Sequence, residues 1–319
     1  MHGNKSLITD FILLGFEELH NLQIFLFLLF LVIYILTILA NFLTFLLMVT
    51  DQHLHTPMYF FVGNLSCLEM LYSSAILPRL LSSLLTGNKT ISFKQCITQL
   101  YFFACLAGTE CYLLCVMSYD RFLAICKPLH YAALMNGKLC IQLAAGSWIN
   151  GIVFSSIYLA FMLQLWYCDH YEIDHFFCES LSFLEISCSN TSFIKRVSVI
   201  MAIIFTFPPF LLTLLSYIYI IAAVMKIPST TGRQKAFSTC SSHLIVVSLF
   251  YGALMIVYIV PKIETMKDIN KIFSLLYTVL PPIVNPLVYS LRNKDVREAL
   301  RKAVGKILEG RFVNQKLKV

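Results

Sequence analysis

Apolar residues along this chain are gathered into seven long runs that are separated by short polar connections. The runs cover residues 23–50, 58–84, 97–126, 139–165, 193–226, 236–260 and 270–291. A helix needs about 20 mostly apolar residues to cross the hydrocarbon core of a bilayer, and each run is long enough. The pattern predicts an all-α membrane protein, a bundle of seven transmembrane helices. Pro57 suits the first turn of the second helix, where its missing N–H costs nothing.

Composition agrees with this interpretation. Hydrophobic residues make up 58% of the chain and charged residues only 13%, about half the charged share that is usual in soluble domains. Seven crossings use most of the 319 residues, so no separate soluble domain fits. We expect an N-terminal segment at 1–22, a seven-helix domain at 23–291 and a tail at 292–319.

The charge of the tail predicts the orientation. After Leu291 there are nine basic and three acidic residues, and basic segments stay on the cytoplasmic side of a membrane. An odd number of crossings then places the N-terminus outside. Apolar residues recur in the tail at helical spacing, which predicts an amphipathic helix on the inner leaflet, with a solvated basic tail as the alternative. These apolar residues are Val296, Leu300, Ala303, Val304, Ile307 and Leu308.

Four cysteines fall on predicted outer segments, where thiols usually oxidise. They are Cys96, Cys168, Cys178 and Cys188. Four such cysteines permit three pairings, which the sequence leaves open. A metal site formed by Cys178 with His170, His175 and Glu179 is the disfavoured alternative, so we expect no metal. Glycosylation triplets on outer segments begin at Asn4, Asn88 and Asn190.

Several polar residues lie in or at the ends of the apolar runs, where an ionisable group is costly and normally faces the bundle interior. They are Asn41, Glu69, Glu110, Arg121, His243 and Asn285. The two asparagines suit simple hydrogen bonds between helices. Two buried carboxylates favour a retained proton or a bound cation, so Glu69 and Glu110 are a candidate sodium or proton site. We expect no other cofactor.

Five sequence motifs, in this order, resemble those of the olfactory receptors, the largest group of the rhodopsin-like G-protein-coupled receptors. They are LHTPMYFF at 54–61, MSYDRFLAICKPLHY at 117–131, SY at 216–217, KAFSTCSSHL at 235–244 and PPIVNPLVY at 281–289. The resemblance runs from about residue 10 to 305 and favours the tetrapod-type class II branch. Three departures keep the chemical type: Ala40 stands where Gly is usual, Phe122 replaces a Tyr, and Glu69 replaces the commoner Asp.

The resemblance implies an odorant receptor of the plasma membrane that activates a heterotrimeric stimulatory olfactory G protein and raises cyclic AMP. The implied switch residues are Asp120, Arg121, Tyr217, His243, Asn285, Pro286 and Tyr289. In the implied mechanism Asp120 holds Arg121 until activation, when Arg121 turns toward Tyr217 and Tyr289. The resemblance also implies the disulfide Cys96–Cys178, which leaves Cys168 and Cys188 to pair with each other.

The resemblance further places the odorant pocket in the outer half of the bundle, and the helical period identifies the side chains that share each face. On the third helix these are Phe103, Ala104, Ala107, Gly108 and Cys111, and on the sixth Tyr251, Leu254, Met255 and Tyr258. Met201 and Phe205 on the fifth helix and Leu275 and Thr278 on the seventh complete the predicted set. Plain packing is the competing interpretation of these faces. A mainly apolar lining suits a small neutral ligand.

Other functions fit the sequence less well. A receptor for a lipid or peptide ligand is the main alternative, because it has the same fold. The sequence shows no internal repeat of the kind that transporters often carry. It also contains no common catalytic motif, so we expect no enzymatic activity. We expect no nucleic acid among the partners.

Overall fold

The computed structural model describes residues 10–16, 21–167, 171–259, 267–292, 296–302 and 305. Within these ranges the side chains at 202, 235–240, 242, 253, 255–259, 267–270 and 289–292 are outside the description. The helices are α1 (Gln23–Thr50), α2 (Pro57–Thr86), α3 (Phe93–Cys126), α4 (Pro128–Leu134), α5 (Gly137–Met162), α6 (Ser180–Glu185), α7 (Ser192–Met225), α8 (Thr230–Ile259) and α9 (Lys267–Arg292). The strands are β1 (Asp10–Leu13), β2 (Thr90–Ser92) and β3 (Glu172–Ile173).

Seven of these helices are long, and they correspond one to one with the seven apolar runs. Over the described residues, six have both the length and the hydropathy of a membrane span. The seventh, α8, is 30 residues long and contains the apolar stretch His243–Gly252. The predicted bundle of seven membrane helices is confirmed.

Local sequence signals set several helix ends. Pro57 occupies the first turn of α2, and Gly87 ends that helix with a φ of 71°, which a residue without a Cβ adopts at no steric cost. Helix α3 begins before its apolar run because Ser92 and Gln95 form a capping box: each side chain accepts a hydrogen bond from the other's backbone N–H.

Helix α3 is central to the bundle. It packs against α2, α5 and α7, and also touches α8. Leu113, Leu114 and Met117 of α3 are fully buried. Helix α1 lies at the edge, where apolar side chains such as Ile24 are exposed. In a membrane protein such residues face lipid.

One end of the bundle carries a small sheet in the strand order β2-β1-β3, and we call it the sheet end. Strand β1 is antiparallel to β2 and parallel to β3. Phe11 of β1 is fully buried, with its ring centroid 5.1 Å from that of Phe183 and 5.7 Å from that of Tyr167. The sequence predicted only an N-terminal segment here. Strand β1 and its packing against the connection between α5 and α7 are therefore new findings.

The opposite end carries α4 and the start of the tail. Residues 296–302 are helical, and Val296 and Ala299 pack into the main hydrophobic core. The other predicted apolar positions of the tail helix, apart from Leu300, lie outside the described residues.

Candidate ligand and signalling sites

An aromatic cluster surrounds Phe103 near the sheet end. Its ring centroid lies 4.9 Å from that of Phe177, 5.4 Å from that of Tyr72 and 6.0 Å from that of Tyr277. Phe177 belongs to the connection between α5 and α7, so this connection packs directly onto α3. The sequence singled out Phe103 alone, because a period along one helix gives no information about rings that arrive from other elements.

A second group lies deeper, where α8 crosses α3. Tyr251 is buried, and its hydroxyl donates to the backbone oxygen of Cys111 at 3.0 Å. Phe210 of α7 packs on the Tyr251 ring, with 5.2 Å between centroids, and Leu254 packs against the same core. The Tyr251 hydroxyl therefore already donates a hydrogen bond within the protein. A ligand can interact with it by donating to a lone pair of its oxygen.

The other predicted ligand residues are dispersed between these groups. Ala107 and Leu275 pack against the Phe103 cluster, and Ala104 is half-buried. Thr278 is buried, but its hydroxyl donates to Ser274 of its own helix at 2.7 Å. Met201 is buried, whereas Phe205 packs on Phe154 of α5 with 5.1 Å between centroids. The side chains of Met255 and Tyr258 lie outside the described residues.

Gly108 is placed away from these groups. A Cβ added there would lie 3.3 Å from the Cα of Gly151 on α5, so Gly108 faces α5. A larger residue at this position would press on Gly151 and Phe154 of α5. The helical period put Gly108 on the same face as Ala107, but adjacent positions differ by about 100° around the axis.

The ion pair predicted at the end of α3 is present. Asp120 is fully buried and Arg121 is 14% exposed, and the Arg121 Nε donates to Asp120 Oδ2 at 3.0 Å. The sequence missed a third member, Tyr131 of α4, whose hydroxyl donates to Asp120 Oδ1 at 2.7 Å. Burial, and then the negative charge of Asp120, raise the pKa of Tyr131, so its hydroxyl stays protonated and donates at neutral pH.

A second contact joins α7 to α8 beside this pair. The Tyr217 hydroxyl is hydrogen-bonded to His243 Nδ1, and both side chains are buried. Tyr217 packs with Ile220 and Val224 against Phe122 of α3. Pro286 lies within α9, and the side chain of Tyr289 is outside the described residues.

Four buried polar residues, one each from α1, α2, α3 and α9, lie inside the bundle. Asn285 donates to Glu69 Oε1, and Asn41 donates to the carbonyl of Pro282 at 2.8 Å. Glu69, Glu110 and both asparagines are almost completely buried. Within the described residues, one side-chain oxygen of each has no hydrogen-bond partner: Glu69 Oε2, Glu110 Oε1, Asn41 Oδ1 and Asn285 Oδ1. Buried acceptors of this kind are costly without a proton donor or a cation.

At the sheet end, Cys96 and Cys178 form a disulfide with 5.5 Å between their Cα atoms. The Gln99 side chain accepts from the backbone N–H of Cys178 at 2.9 Å and fixes the same loop onto α3. Because Cys178 is in a disulfide, it has no free thiolate that could bind a metal at the alternative site. Cys188 is also disulfide-bonded, and its predicted partner Cys168 lies outside the described residues.

Two of the three predicted glycosylation asparagines are exposed at the sheet end. Asn88 follows α2, and Asn190 precedes α7. Asn4 lies outside the described residues.

Sequence comparison extends these observations. A family model described as olfactory receptor matches residues 30–307. The human Olfactory receptor 6F1 is 46% identical over 300 residues, covering 94% of this chain and 97% of that protein. The mouse Olfactory receptor 6Z7 is 45% identical over 302 residues, covering 95% and 97%. Because the family model covers residues 30–307 and these relatives are about 45% identical over almost the whole chain, the chain belongs to the olfactory receptor family.

Proposed function

We propose that this protein is an odorant receptor of the plasma membrane that binds small neutral molecules and activates a stimulatory olfactory G protein. The observation that carries the proposal is the extent of the likeness to proteins named as olfactory receptors, which reaches 46% identity over 94% of the chain. The excess of basic residues after Leu291 supports a cytoplasmic tail. The disulfide and two exposed glycosylation triplets at the sheet end support an extracellular N-terminus.

The ligand region proposed lies between the Phe103 cluster and Tyr251. Its surroundings are mainly apolar, and the Tyr251 hydroxyl offers a lone pair to a ligand hydroxyl while it donates its own proton to the backbone oxygen of Cys111. Phe103 supplies no negative charge for an amine. These features favour a small, neutral, mostly hydrophobic odorant such as an alcohol, aldehyde, ketone or ester. An alcohol can donate to the Tyr251 lone pair directly, whereas an aldehyde, ketone or ester accepts from Tyr251 only after its hydroxyl turns away from Cys111.

Coupling to the G protein is assigned to the end of the bundle that carries Arg121. An agonist that binds one state of the bundle better shifts the equilibrium toward that state. In the proposed active state Arg121 leaves Asp120 and turns toward Tyr217, which first has to give up its hydrogen bond to His243. Arg121 is only 14% exposed and pairs with the fully buried Asp120, so Arg121→Ala leaves a buried carboxylate without its cation and lowers stability. At matched surface expression Arg121→Ala removes the cyclic AMP response; a full response would contradict this role.

The buried polar cluster is proposed to hold a proton or a sodium ion between Glu69 and Glu110. Their unpaired oxygens, with those of Asn41 and Asn285, are the hard acceptors that such a cation needs. Single Glu69→Gln and Glu110→Gln variants remove charge but keep shape. They change agonist potency and its dependence on sodium or pH. If both variants match the parent protein in these measurements, the site does not exist.

The function is tested by measuring cyclic AMP in cells that express the receptor. An odorant panel is compared with a lipid panel and a peptide panel at matched surface expression. Responses confined to neutral odorants support the proposal. Responses confined to lipids or peptides would favour the alternative receptor class.

A further inference from the structure

A long groove opens on the lipid-facing surface of the bundle between α2 and α3. Its volume is about 820 Å³, and Trp148 and Ile152 of α5 line the end of the groove that is farther from the sheet end. Leu71 and Phe102 line its walls and are 49% and 51% exposed. The groove is therefore apolar along most of its length and can be reached from the bilayer. It is separate from the proposed odorant region inside the bundle.

The mouth of the groove, at the sheet end, carries two cations. Arg79 of α2 donates to the carbonyl oxygens of Asn88 at 3.2 Å and Thr90 at 2.6 Å, and Lys94 of α3 is exposed. Across the described part of the chain neither forms an ion pair with a carboxylate. The first turn of α3 contains no acidic residue, and the positive end of its dipole adds to the charge.

The length of the groove matches one leaflet. From Lys94 to Cys105, both of which line it, α3 rises about 16 Å at 1.5 Å per residue. Half of the hydrocarbon core of a bilayer is about 15 Å. An acyl chain that follows the groove from Lys94 therefore ends near the middle of the membrane, at Trp148.

We propose that this groove binds a phospholipid, with one acyl chain along its apolar walls and the headgroup phosphate between Arg79 and Lys94. Arg79 uses its two Nη atoms in these bonds, and its Nε donor has no partner among the described residues. The Lys94 ammonium is a compact point charge, and both side chains are common phosphate ligands. Gln95, also in the lining, has amide N–H groups that can donate to an ester oxygen, whereas the Thr98 hydroxyl donates to the Lys94 carbonyl at 2.8 Å and can only accept from a lipid hydroxyl. The bound lipid bridges α2 and α3 directly beside the disulfide loop.

Native mass spectrometry of the purified full-length receptor tests this proposal. The probes are phosphatidylglycerol, diacylglycerol with the same acyl chains, and inorganic phosphate as a competitor. The double variant Arg79→Gln/Lys94→Gln lowers the phosphatidylglycerol-bound fraction by roughly tenfold, because each cation contributes charge-assisted hydrogen bonds. The control Lys195→Gln/Arg196→Gln removes two exposed cations at the start of α7, at the same end of the bundle, and leaves binding unchanged.

A second variant separates lipid binding from loss of the Arg79 contacts to the loop after α2. Thr98 is exposed on the groove wall, so Thr98→Trp fills the groove and keeps both cations. It abolishes the phosphatidylglycerol adduct at unchanged thermal stability. The proposal is overturned if the adduct survives both variants, if the control lowers it equally, or if diacylglycerol binds as well as phosphatidylglycerol. Binding of inorganic phosphate as tight as that of phosphatidylglycerol would also overturn it, because the apolar walls of the groove would then contribute nothing.

Discussion

Replacing Gly151 with Ala is expected to damage the contact between α3 and α5. A Cβ at Gly151 would overlap the Thr109 side chain and the carbonyl oxygen of Cys105, and it would lie 3.0 Å from the Thr109 nitrogen. Two of these three atoms belong to the α3 backbone and cannot turn aside. Gly151 therefore lies where the backbones of the two helices are in close contact, opposite Gly108.

The magnitude follows from this geometry. Nonbonded heavy atoms prefer separations of about 3.5–4.0 Å, so the two backbones have to separate by about 1 Å. Inserting one methyl into a well-packed site costs about 1–3 kcal/mol, and more where backbone resists. At about 2–4 °C per kcal/mol, the melting temperature falls by roughly 5 °C.

The measurement is thermal unfolding of the purified receptor, followed by the fluorescence of a thiol-reactive dye or of intrinsic tryptophan. Gly146→Ala is the matched control, because it makes the same change in the same helix where no atom lies within 4 Å of the added Cβ. The control keeps or slightly raises the melting temperature, since Ala favours a helix over Gly. Equal melting temperatures for Gly151→Ala and the parent protein would refute this account of the helix contact.

Three further predictions follow from the described contacts. Tyr131→Phe removes one donor from buried Asp120 and loosens its hold on Arg121, so ligand-independent cyclic AMP rises severalfold; unchanged basal output at equal expression would contradict this. Tyr251→Phe loses one hydrogen bond of about 0.5–1.5 kcal/mol and shifts agonist dose-response curves by roughly two- to tenfold, and identical curves would place the ligand elsewhere. Cys96→Ser releases the loop from α3 and abolishes surface expression measured by antibody staining, whereas normal staining would show that the disulfide is dispensable.

The sequence was sufficient to predict the seven helices, because a bilayer requires each crossing segment to have a minimum length and to satisfy its own backbone hydrogen bonds. Pro57 marks the start of α2 by local backbone chemistry alone. The motif around Asp120 and Arg121 likewise predicted an ion pair between neighbours in the chain, and that pair is present.

Contacts between distant segments were decided only by the tertiary structure. The helical period relates side chains on one helix to each other, but it does not give the rotation of that helix against its neighbours. This is why Gly108 meets α5, why the Tyr251 hydroxyl meets the Cys111 backbone, and why Tyr131 completes the Asp120 site. The strand at Asp10–Leu13 exists because β2 and β3 provide partners on both of its edges, and four residues alone carry no such signal.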